Sequence, residues 1–250
     1  MEKAYKLLAI QEKISNGAAK ELIDAGLVSA RGAKIVVARA EMKEDTVFKV
    51  ARLAAPTLIF EDENIIAVNK PAFVTSEKIA ADFGAPLLNR LDKETSGVVL
   101  LYKNEEFQAR AIREFKAGRV GKTYFAAVRG VLAEELTIDQ PLTTIKTRSG
   151  ALTRPDTHGK TAVTHVYPLL VEGKRSLVRV VIETGRTHQI RCHLANAGFG
   201  VIGDEKYAKN SAKRMYLHSY ETTLLNYRFR AAVPREFSEL GFDLPRELAK

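Results

Sequence analysis

Short apolar runs separated by polar turns recur along the chain, and they predict β-strands rather than long helices. The clearest runs cover residues 65–68, 98–101, 162–170 and 177–184. Each is of strand length and is rich in β-branched or large apolar residues. With few long helical stretches between them, these strands predict an α+β fold rather than a doubly wound one.

One stretch has helical periodicity. Asn104 is expected to cap a helix that Gly118 ends, because Asn is a favoured N-terminal cap and Gly a favoured stop. The residues expected on its apolar face are Phe107, Ala111, Ile112 and Phe115. A strand is expected to follow over residues 121–130, with a cation and an aromatic ring on the same face. The members of that face are Lys122, Tyr124, Ala126 and Val128.

Residues 1–50 form a small unit by pattern. Two helices are predicted near residues 5–10 and 16–25, followed by short strands, and residues 51–56 read as a linker. The expected strands are residues 27–28, 35–37 and 47–50. The order resembles the S4 RNA-binding module, although nine basic residues are diluted by seven acidic ones. A helical hairpin that packs on the next domain is the alternative.

Two later segments are expected to be loops. Residues 137–161 are rich in Thr, Arg, Lys and Gly, which suits a mobile basic loop that orders on a partner or a disordered surface loop. Residues 184–198 are predicted to be a loop that leads into a helix, with Thr187 as N-cap and Gly198 as the stop.

Candidate chemistry is concentrated at residues 87–101, where charged and hydroxyl residues stand between two apolar runs. In an extended segment Arg90 and Asp92 point to the same side, so a guanidinium could orient the carboxylate. Residues 95–97 would close a turn that braces it. An ordinary polar turn, in which Asp92 bonds its own backbone, remains the alternative.

The composition limits the class of protein. With 250 residues and 46% hydrophobic content the chain can bury a large core, in one domain or two. Its apolar runs are too short to span a membrane and no signal pattern precedes them, so we expect a cytoplasmic protein. A net charge of +9 favours a polyanionic partner.

Three apparent motifs fail on geometry or context. His188 and His193 are five residues apart, so they would not share a metal ion on a helix. Cys192, the sole cysteine, is expected in the core rather than as a nucleophile paired with His188. The glycines of residues 198–203 match a dinucleotide motif but follow a helix instead of a strand.

Three separated stretches together resemble the RluA family of RNA pseudouridine synthases. Asn-Arg-Leu-Asp-x-x-Thr-Ser-Gly at residues 89–97 is similar to the family's aspartate motif, with Asn89 in place of its usual histidine. Residues 122–130 resemble its tyrosine strand. Gly-Arg-Thr-His-Gln-Ile-Arg at 185–191, followed by Gly-Asp-x-x-Tyr at 203–207, resembles its third motif. Asn89 is expected to affect local packing or RNA contact rather than chemistry.

The resemblance implies a mixed, mainly antiparallel sheet with flanking helices and a central cleft over residues 51–250, preceded by a small α/β S4-like domain over residues 1–50. It also implies an isomerase that converts uridine in RNA to pseudouridine, breaking the N1–C1′ bond and forming a C5–C1′ bond. No metal and no organic cofactor is implied. RNA is the expected partner, and we expect a monomer with no membrane association.

Catalytic roles follow from the same resemblance. Asp92 would attack or deprotonate the nucleoside, Tyr124 would stack on the flipped base, and Arg191 would pair with Asp92 and keep it ionised. Contacts to substrate or RNA are expected from five further residues, which are Arg90, Thr95, Lys122, Arg186 and His188. Arg90 would fill the gap or hold the phosphate when the base leaves its stack.

The target RNA is less constrained by the sequence than the reaction. The S4-like unit favours large-subunit (23S) ribosomal RNA, with transfer RNA as the alternative. A non-catalytic RNA-binding protein on the same scaffold is the rival class. The presence of Asp92, Tyr124 and Arg191 together favours the enzyme.

Overall fold

A computed structural model describes residues 1–51, 53–147, 150–245 and 248. The chain divides into two units, Met1–Ala54 and Ala55–Lys250. The identification of the first unit as S4-like remains a prediction. Among the described residues, no helix is long and apolar enough to cross a membrane.

The first unit contains two helices and five short strands among its described residues. In chain order these are β1 (Glu2–Lys3), α1 (Ala4–Glu12), α2 (Asn16–Asp24), β2 (Val28–Ala30), β3 (Ala33–Lys34), β4 (Glu41–Met42) and β5 (Phe48–Val50). Strands β3, β2 and β5 form one antiparallel sheet. Both helices contribute to one core, in which Leu8, Ile23 and Phe48 are buried.

The prediction of a strand at residues 35–37 is wrong. The hairpin closes earlier, with Ala30 opposite Ala33. Val36 and Val37 lie in a loop beyond it, and both are more than half exposed. The Ile35 amide still donates to the carbonyl of Val28 at 2.9 Å, but the pairing with β2 ends there and does not extend to Val36 and Val37.

The second unit is built around one large sheet. Its elements are β6 (Thr57–Glu61), β7 (Ile65–Lys70), α3 (Ser76–Phe83), β8 (Ser96–Tyr102), α4 (Glu105–Lys116), β9 (Gly121–Arg129), β10 (Leu136–Asp139), β11 (Leu142–Thr147), β12 (Gly150–Pro155), β13 (Val163–Glu172), β14 (Arg175–Ile182), α5 (Gln189–Asn196), β15 (Leu217–Leu224), β16 (Tyr227–Arg230) and a 3-10 helix (Arg235–Leu240). The strand order is β10-β13-β14-β9-β15-β8-β7-β6, with β16 also paired to β15. The α+β prediction with a mainly antiparallel sheet is confirmed.

Strand β9 lies near the middle of this sheet and is buried on both faces. One face contributes Tyr124, Ala126 and Val128 to a core shared with α5. The other contributes Phe125 and Ala127 to a core shared with the 3-10 helix. The predicted common face of the three apolar residues is therefore confirmed, and it directs Tyr124 toward the helix that carries Arg191.

Helix α4 begins and ends as predicted. The Asn104 side chain accepts a hydrogen bond of 2.8 Å from the backbone amide of Phe107, and Gly118 adopts a left-handed conformation. The predicted apolar face is correct for Phe107 and Ala111, which are buried. It is wrong for Ile112, which is 40% exposed because it lies at the margin of the apolar stripe.

The prediction that residues 137–161 form a loop is also wrong. Strand β10 pairs with β13, and β11 and β12 form an antiparallel hairpin whose residues 148 and 149 lie outside the described part of the chain. The hydroxyls of Thr144 and Thr153 bond across this hairpin at 2.8 Å. Polar cross-strand pairs stabilise a ladder without apolar alternation, so the pattern concealed the strands.

The sheet contains one parallel pair among its described strands, where Ser96 and Gly97 of β8 lie opposite His218 and Ser219 of β15. Gly97 has a φ of +116°. A β-carbon at this position would collide with the backbone carbonyl of Ser219. Glycine is therefore required for the strand that follows the Asp92 segment to enter the sheet.

Replacing Gly97 by Ala should lower the free energy of unfolding by roughly 3 kcal/mol or more, since backbone strain and overpacking add. Urea unfolding would measure the change. Gly118→Ala is the matched control, because Gly118 also has a positive φ but no atom lies within 4 Å of the added carbon. That variant should lose only about 1–2 kcal/mol. Equal losses in the two variants would contradict the proposed collision.

Candidate active site

Residues from distant parts of the second unit line a cleft of about 90 Å³. The segment between α3 and β8 contributes Asp92, β9 contributes Tyr124, and α5 contributes Arg191. Other lining residues are Arg90, Leu91, Thr95, Ile182, Gly185, Arg186, His188, Gln189, Ile190 and Leu217. Seven of the eight predicted site residues therefore lie together, and Lys122 lies beside Gly185 at the rim.

Arg191 is the central charged group of the cleft. Its Nη1 donates to Asp92 Oδ2 at 2.9 Å. Its Nε and Nη2 donate to the two carboxylate oxygens of Asp204 at 2.8 and 3.0 Å. The guanidinium thus bridges two carboxylates, one at the cleft surface and one fully buried, through charge-assisted bonds.

The electrostatics of this cluster favour the charged forms. Burial disfavours a charged guanidinium, but the bonds to Asp204 and Asp92 outweigh it, so the pKa of Arg191 is raised. Burial would likewise raise the pKa of Asp204, but the bonds from Arg191 outweigh it and that pKa lies below its ordinary value. Arg191 and Asp204 are therefore an ion pair across the physiological pH range.

Tyr124 presents a buried ring to the cleft. Burial, and secondarily the negative charge of Asp92, raise the pKa of its phenol to about 12. The hydroxyl is therefore protonated at neutral pH and can donate a hydrogen bond. An aromatic face beside a carboxylate suits a planar, neutral ligand.

His188 connects Asp92 to a second polar group. Its Nδ1 lies 2.7 Å from the Tyr207 hydroxyl, which also accepts a bond from the backbone amide of Thr153 at 2.8 Å. Burial outweighs the nearby Asp92, so the pKa of His188 is lowered and the ring is neutral near pH 7. We assign the ring proton to Nε2, because the phenol keeps its own proton for Nδ1. Nε2 lies 3.8 Å from Asp92 Oδ2.

Thr95 places a hydroxyl in the cleft wall. The residue is 2% exposed, and its Oγ1 has no hydrogen-bond partner among the described residues. A buried hydroxyl without a partner is costly, since it loses its bonds to water.

Three cations lie around the opening. Arg90 is exposed and pairs with Glu77 at 3.0 Å, and Arg186 donates from Nε to the carbonyl of Thr161 at 2.9 Å. Burial and the neighbouring Arg186 lower the pKa of Lys122. Basic side chains around the opening suit phosphates on either side of a bound nucleotide.

The predicted cap at Thr187 is wrong. His188 precedes α5 in a left-handed conformation, with φ +52°, and makes no side-chain cap bond. Gln189 reaches back instead, its Oε1 accepting bonds from the amide of Arg186 at 3.0 Å and the hydroxyl of Thr184 at 2.7 Å. This turn aims His188 into the cleft while Arg191 follows on the same helix.

Sequence reasoning assigned no role to Asp204, Tyr207 or Glu94. Asp204 and Tyr207 were visible in the third motif, but their bonds to Arg191 and His188 depend on the fold. Glu94 lies 3.9 Å from Arg191. Asn89 bonds within the protein, its Oδ1 accepting from the amide of Leu100 at 2.7 Å, which is a packing role.

The core assignment of Cys192 is confirmed. The residue is 3% exposed, and burial raises the pKa of its thiol to about 11, so it is neutral at physiological pH. His193 points away from the cleft and bonds to Thr164 and the carbonyl of Gln140.

Comparison with known proteins gives the family. The RNA pseudouridylate synthase family profile matches residues 64–196. An uncharacterized RNA pseudouridine synthase of Helicobacter pylori strain J99 is 49% identical over 241 residues, which cover 95% of this chain and 99% of that protein. The ribosomal large subunit pseudouridine synthase C of Rickettsia bellii is 34% identical over 200 residues, covering 69% of this chain and 65% of that protein.

Two solved human structures share the fold. RNA pseudouridylate synthase domain containing 1 has a TM-score of 0.63 at 25% identity, covering 74% of this chain and 86% of its own. RNA pseudouridylate synthase domain containing 4 has a TM-score of 0.61 at 20% identity, covering 73% of this chain and 90% of its own. The chain belongs to the RNA pseudouridine synthase family. It is an RNA pseudouridine synthase, an isomerase whose substrate is RNA.

Replacing Arg191 by Met should abolish most activity and lower the free energy of unfolding by roughly 3–5 kcal/mol, because Asp204 then stays buried without its cation. Asp204 would take up a proton to avoid that cost. Urea unfolding and single-turnover isomerisation would measure the two effects.

Arg191→Lys is the matched control for this change. It keeps a positive charge but cannot bridge both carboxylates in the bidentate geometry, so its stability should lie between Arg191→Met and the unchanged protein. Stability and rate close to the unchanged protein in Arg191→Met would contradict the assigned bridge.

Proposed function

We propose that the protein isomerises uridine to pseudouridine in large-subunit ribosomal RNA, with Asp92 as the catalytic group. The observation that carries the site assignment is the Asp92 carboxylate, held at 2.9 Å by Arg191 in a cleft walled by the Tyr124 ring. The carboxylate is 24% exposed, so a nucleoside can reach it.

Asp92 starts the reaction by attacking or deprotonating the nucleoside. When Asp92 attacks C1′, an ester bond forms as the N1–C1′ bond breaks and the uracil leaves as its anion; after the uracil turns, C5 bonds to C1′ and the carboxylate is released. When Asp92 instead deprotonates the nucleoside, the carboxylic acid returns that proton as C5 bonds to C1′. In both paths C5 then loses its proton and N1 gains one, so the reaction is a net isomerisation. Arg191 keeps the carboxylate oriented and does not act as an acid, because its pKa is raised. No metal ion or organic cofactor is needed for these steps.

Tyr124 and Thr95 are proposed to hold the base. The ring face of Tyr124 stacks on uracil, and its protonated hydroxyl can donate to a substrate oxygen. Thr95 lines the same cleft and would contact the base from its wall. His188, neutral and close to Asp92, orients the carboxylate or the ribose.

The rim cations are proposed to bind the RNA backbone. Arg186 and Lys122 lie on one side of the opening, and the exposed Arg90 can leave Glu77 to hold the phosphate or fill the gap of an extruded uridine. Extrusion costs a few kcal/mol in a duplex and less in a loop.

The ribosomal target is supported by relatives. Proteins of Rickettsia bellii and Haemophilus influenzae that resemble this chain are named ribosomal large subunit pseudouridine synthases C and D. We propose the same class of RNA for this chain. Residues 1–54 are proposed to supply affinity as an S4-like module, since two helices precede a short antiparallel sheet in that unit.

Asp92→Asn should abolish isomerisation while leaving folding and RNA affinity nearly unchanged, because the shape stays and the reactive carboxylate is lost. Formation of pseudouridine within a purified RNA substrate, quantified after digestion of that RNA to nucleosides, would measure this. Substantial turnover by a preparation free of contaminating enzyme would refute the catalytic assignment.

The same variant tests the target in cells. Pseudouridines would be mapped across all cellular RNA with Asp92→Asn in place of the natural chain. The sites that this enzyme forms should disappear from large-subunit ribosomal RNA, and pseudouridines in other RNAs should remain. Loss from transfer RNA alone would replace the proposed target and leave the catalytic assignment standing.

A chain that begins at Ala55 should still isomerise uridine in a short RNA at high concentration, with weaker binding. Each lost phosphate contact lowers the log–log salt slope by roughly 0.7 to 0.9. The removed residues 1–54 carry ten basic and seven acidic residues, or a net +3. We therefore expect a loss of about one to three contacts.

Binding measured against salt concentration, with circular dichroism as the folding control, would decide the role of the first unit. Equal affinity and equal salt slope in the long and short chains would disprove the S4-like assignment.

A further inference from the structure

The backbone on both sides of Asp92 is hydrogen-bonded to one segment, residues 70–76. On the side before Asp92, the Ser76 hydroxyl accepts a bond from the Leu91 amide at 3.0 Å and donates to the Leu91 carbonyl at 3.1 Å. On the side after it, the carbonyl of Lys93 accepts bonds from the Phe73 amide at 2.7 Å and from Lys70 Nζ at 3.2 Å.

The contact of Ser76 with Leu91 is unusual in kind. One hydroxyl satisfies both backbone groups of a residue, a task that a neighbouring strand normally performs. Ser76 is 1% exposed, so water cannot replace these bonds if the hydroxyl is removed. Leu91 also lines the cleft, and the peptide bond that it shares with Asp92 is therefore held directly.

The hydrogen bonds to the Lys93 carbonyl come from two residues in unfavourable environments. Lys70 is fully buried, and its Nζ lies within hydrogen-bond distance of three carbonyls, those of Pro71, Val74 and Lys93. Burial lowers the pKa of this amine to about 7. Phe73 has a φ of +68°, a conformation that a bulky residue rarely adopts. Strained backbone persists where the surrounding structure enforces it, and it is concentrated at functional sites.

We propose that Ser76 is a positioning residue for Asp92, fixing the Leu91–Asp92 peptide so that the carboxylate meets the nucleoside in reactive geometry. This inference rests on the proposed catalytic role of Asp92. Arg191 fixes the carboxylate end of the Asp92 side chain, whereas Ser76 fixes the backbone from which that side chain extends. Both constraints are needed because a misplacement of about 1 Å can reduce a rate about 100-fold.

Thr75 provides a matched control at the adjacent position. Its hydroxyl caps the same helix, accepting from the amide of Lys78 at 3.2 Å, and it is exposed. Ser76→Ala and Thr75→Ala thus each delete one hydroxyl at the start of α3, but only the first releases the Asp92 segment. A general weakening of α3 would affect both variants.

The experiment is single-turnover isomerisation with the full-length enzyme in saturating excess over a short RNA. Under these conditions the rate constant does not depend on the folded fraction, and thermal melts confirm that each variant is folded. Ser76→Ala should be slowed about 10- to 100-fold, with the enzyme concentration at half-maximal rate unchanged within about threefold. Thr75→Ala should stay within about twofold of the unchanged enzyme.

Two results would overturn the proposal: a folded Ser76→Ala enzyme with an unchanged rate constant, or equal slowing in both variants. If Ser76→Ala does not fold, Ser76→Cys replaces it, since sulfur keeps the shape but bonds weakly. A normal rate in Ser76→Cys would also refute the role. An active Asp92→Asn enzyme would instead refute the catalytic assignment itself.

Discussion

The Arg191 guanidinium holds two carboxylates that come from different parts of the chain, and the site depends on that bridge. Asp204 is fully buried and needs a cation to remain charged. Arg191 is nearly as buried and needs both carboxylates. Because Asp204 holds Nε and Nη2, the remaining Nη1 is aimed at Asp92. The direction of the proposed catalytic carboxylate is thus set by an ion pair whose other carboxylate, Asp204, is fully buried.

The strand that follows Asp92 is fixed by a second buried network. Arg214 donates to the Ser96 hydroxyl at 2.6 Å, and Ser96 lies 2.8 Å from Nδ1 of His218, whose Nε2 faces the carbonyl of Ala231 at 3.0 Å. Burial lowers the pKa of His218 to about 4. The neutral ring therefore accepts from Ser96 and donates to Ala231, a directional chain that joins β8 to β15 where Gly97 permits close approach.

Much of the fold was predictable because periodicity and capping are local properties. The cap at Asn104, the stop at Gly118 and the common face of β9 follow from residues close together in the chain. The hairpin of β11 and β12 was not predictable in this way. Its strands are stabilised by pairing with each other through polar residues, and a polar stretch without apolar alternation does not reveal such pairing.

The candidate site likewise combines features that are visible in the sequence with contacts that arise only on folding. The sequence by itself determined which groups are present, namely Asp92, Tyr124 and Arg191 in three motifs, and their types already indicated a carboxylate, a stacking ring and a cation. Only the tertiary structure decided which groups meet. Asp204 and Ser76 each make two hydrogen bonds, to Arg191 and Leu91, which are 13 and 15 positions away along the chain. Hydrogen-bond geometry depends on distances of tenths of an ångström, and such distances exist only after the sheet and its helices have packed.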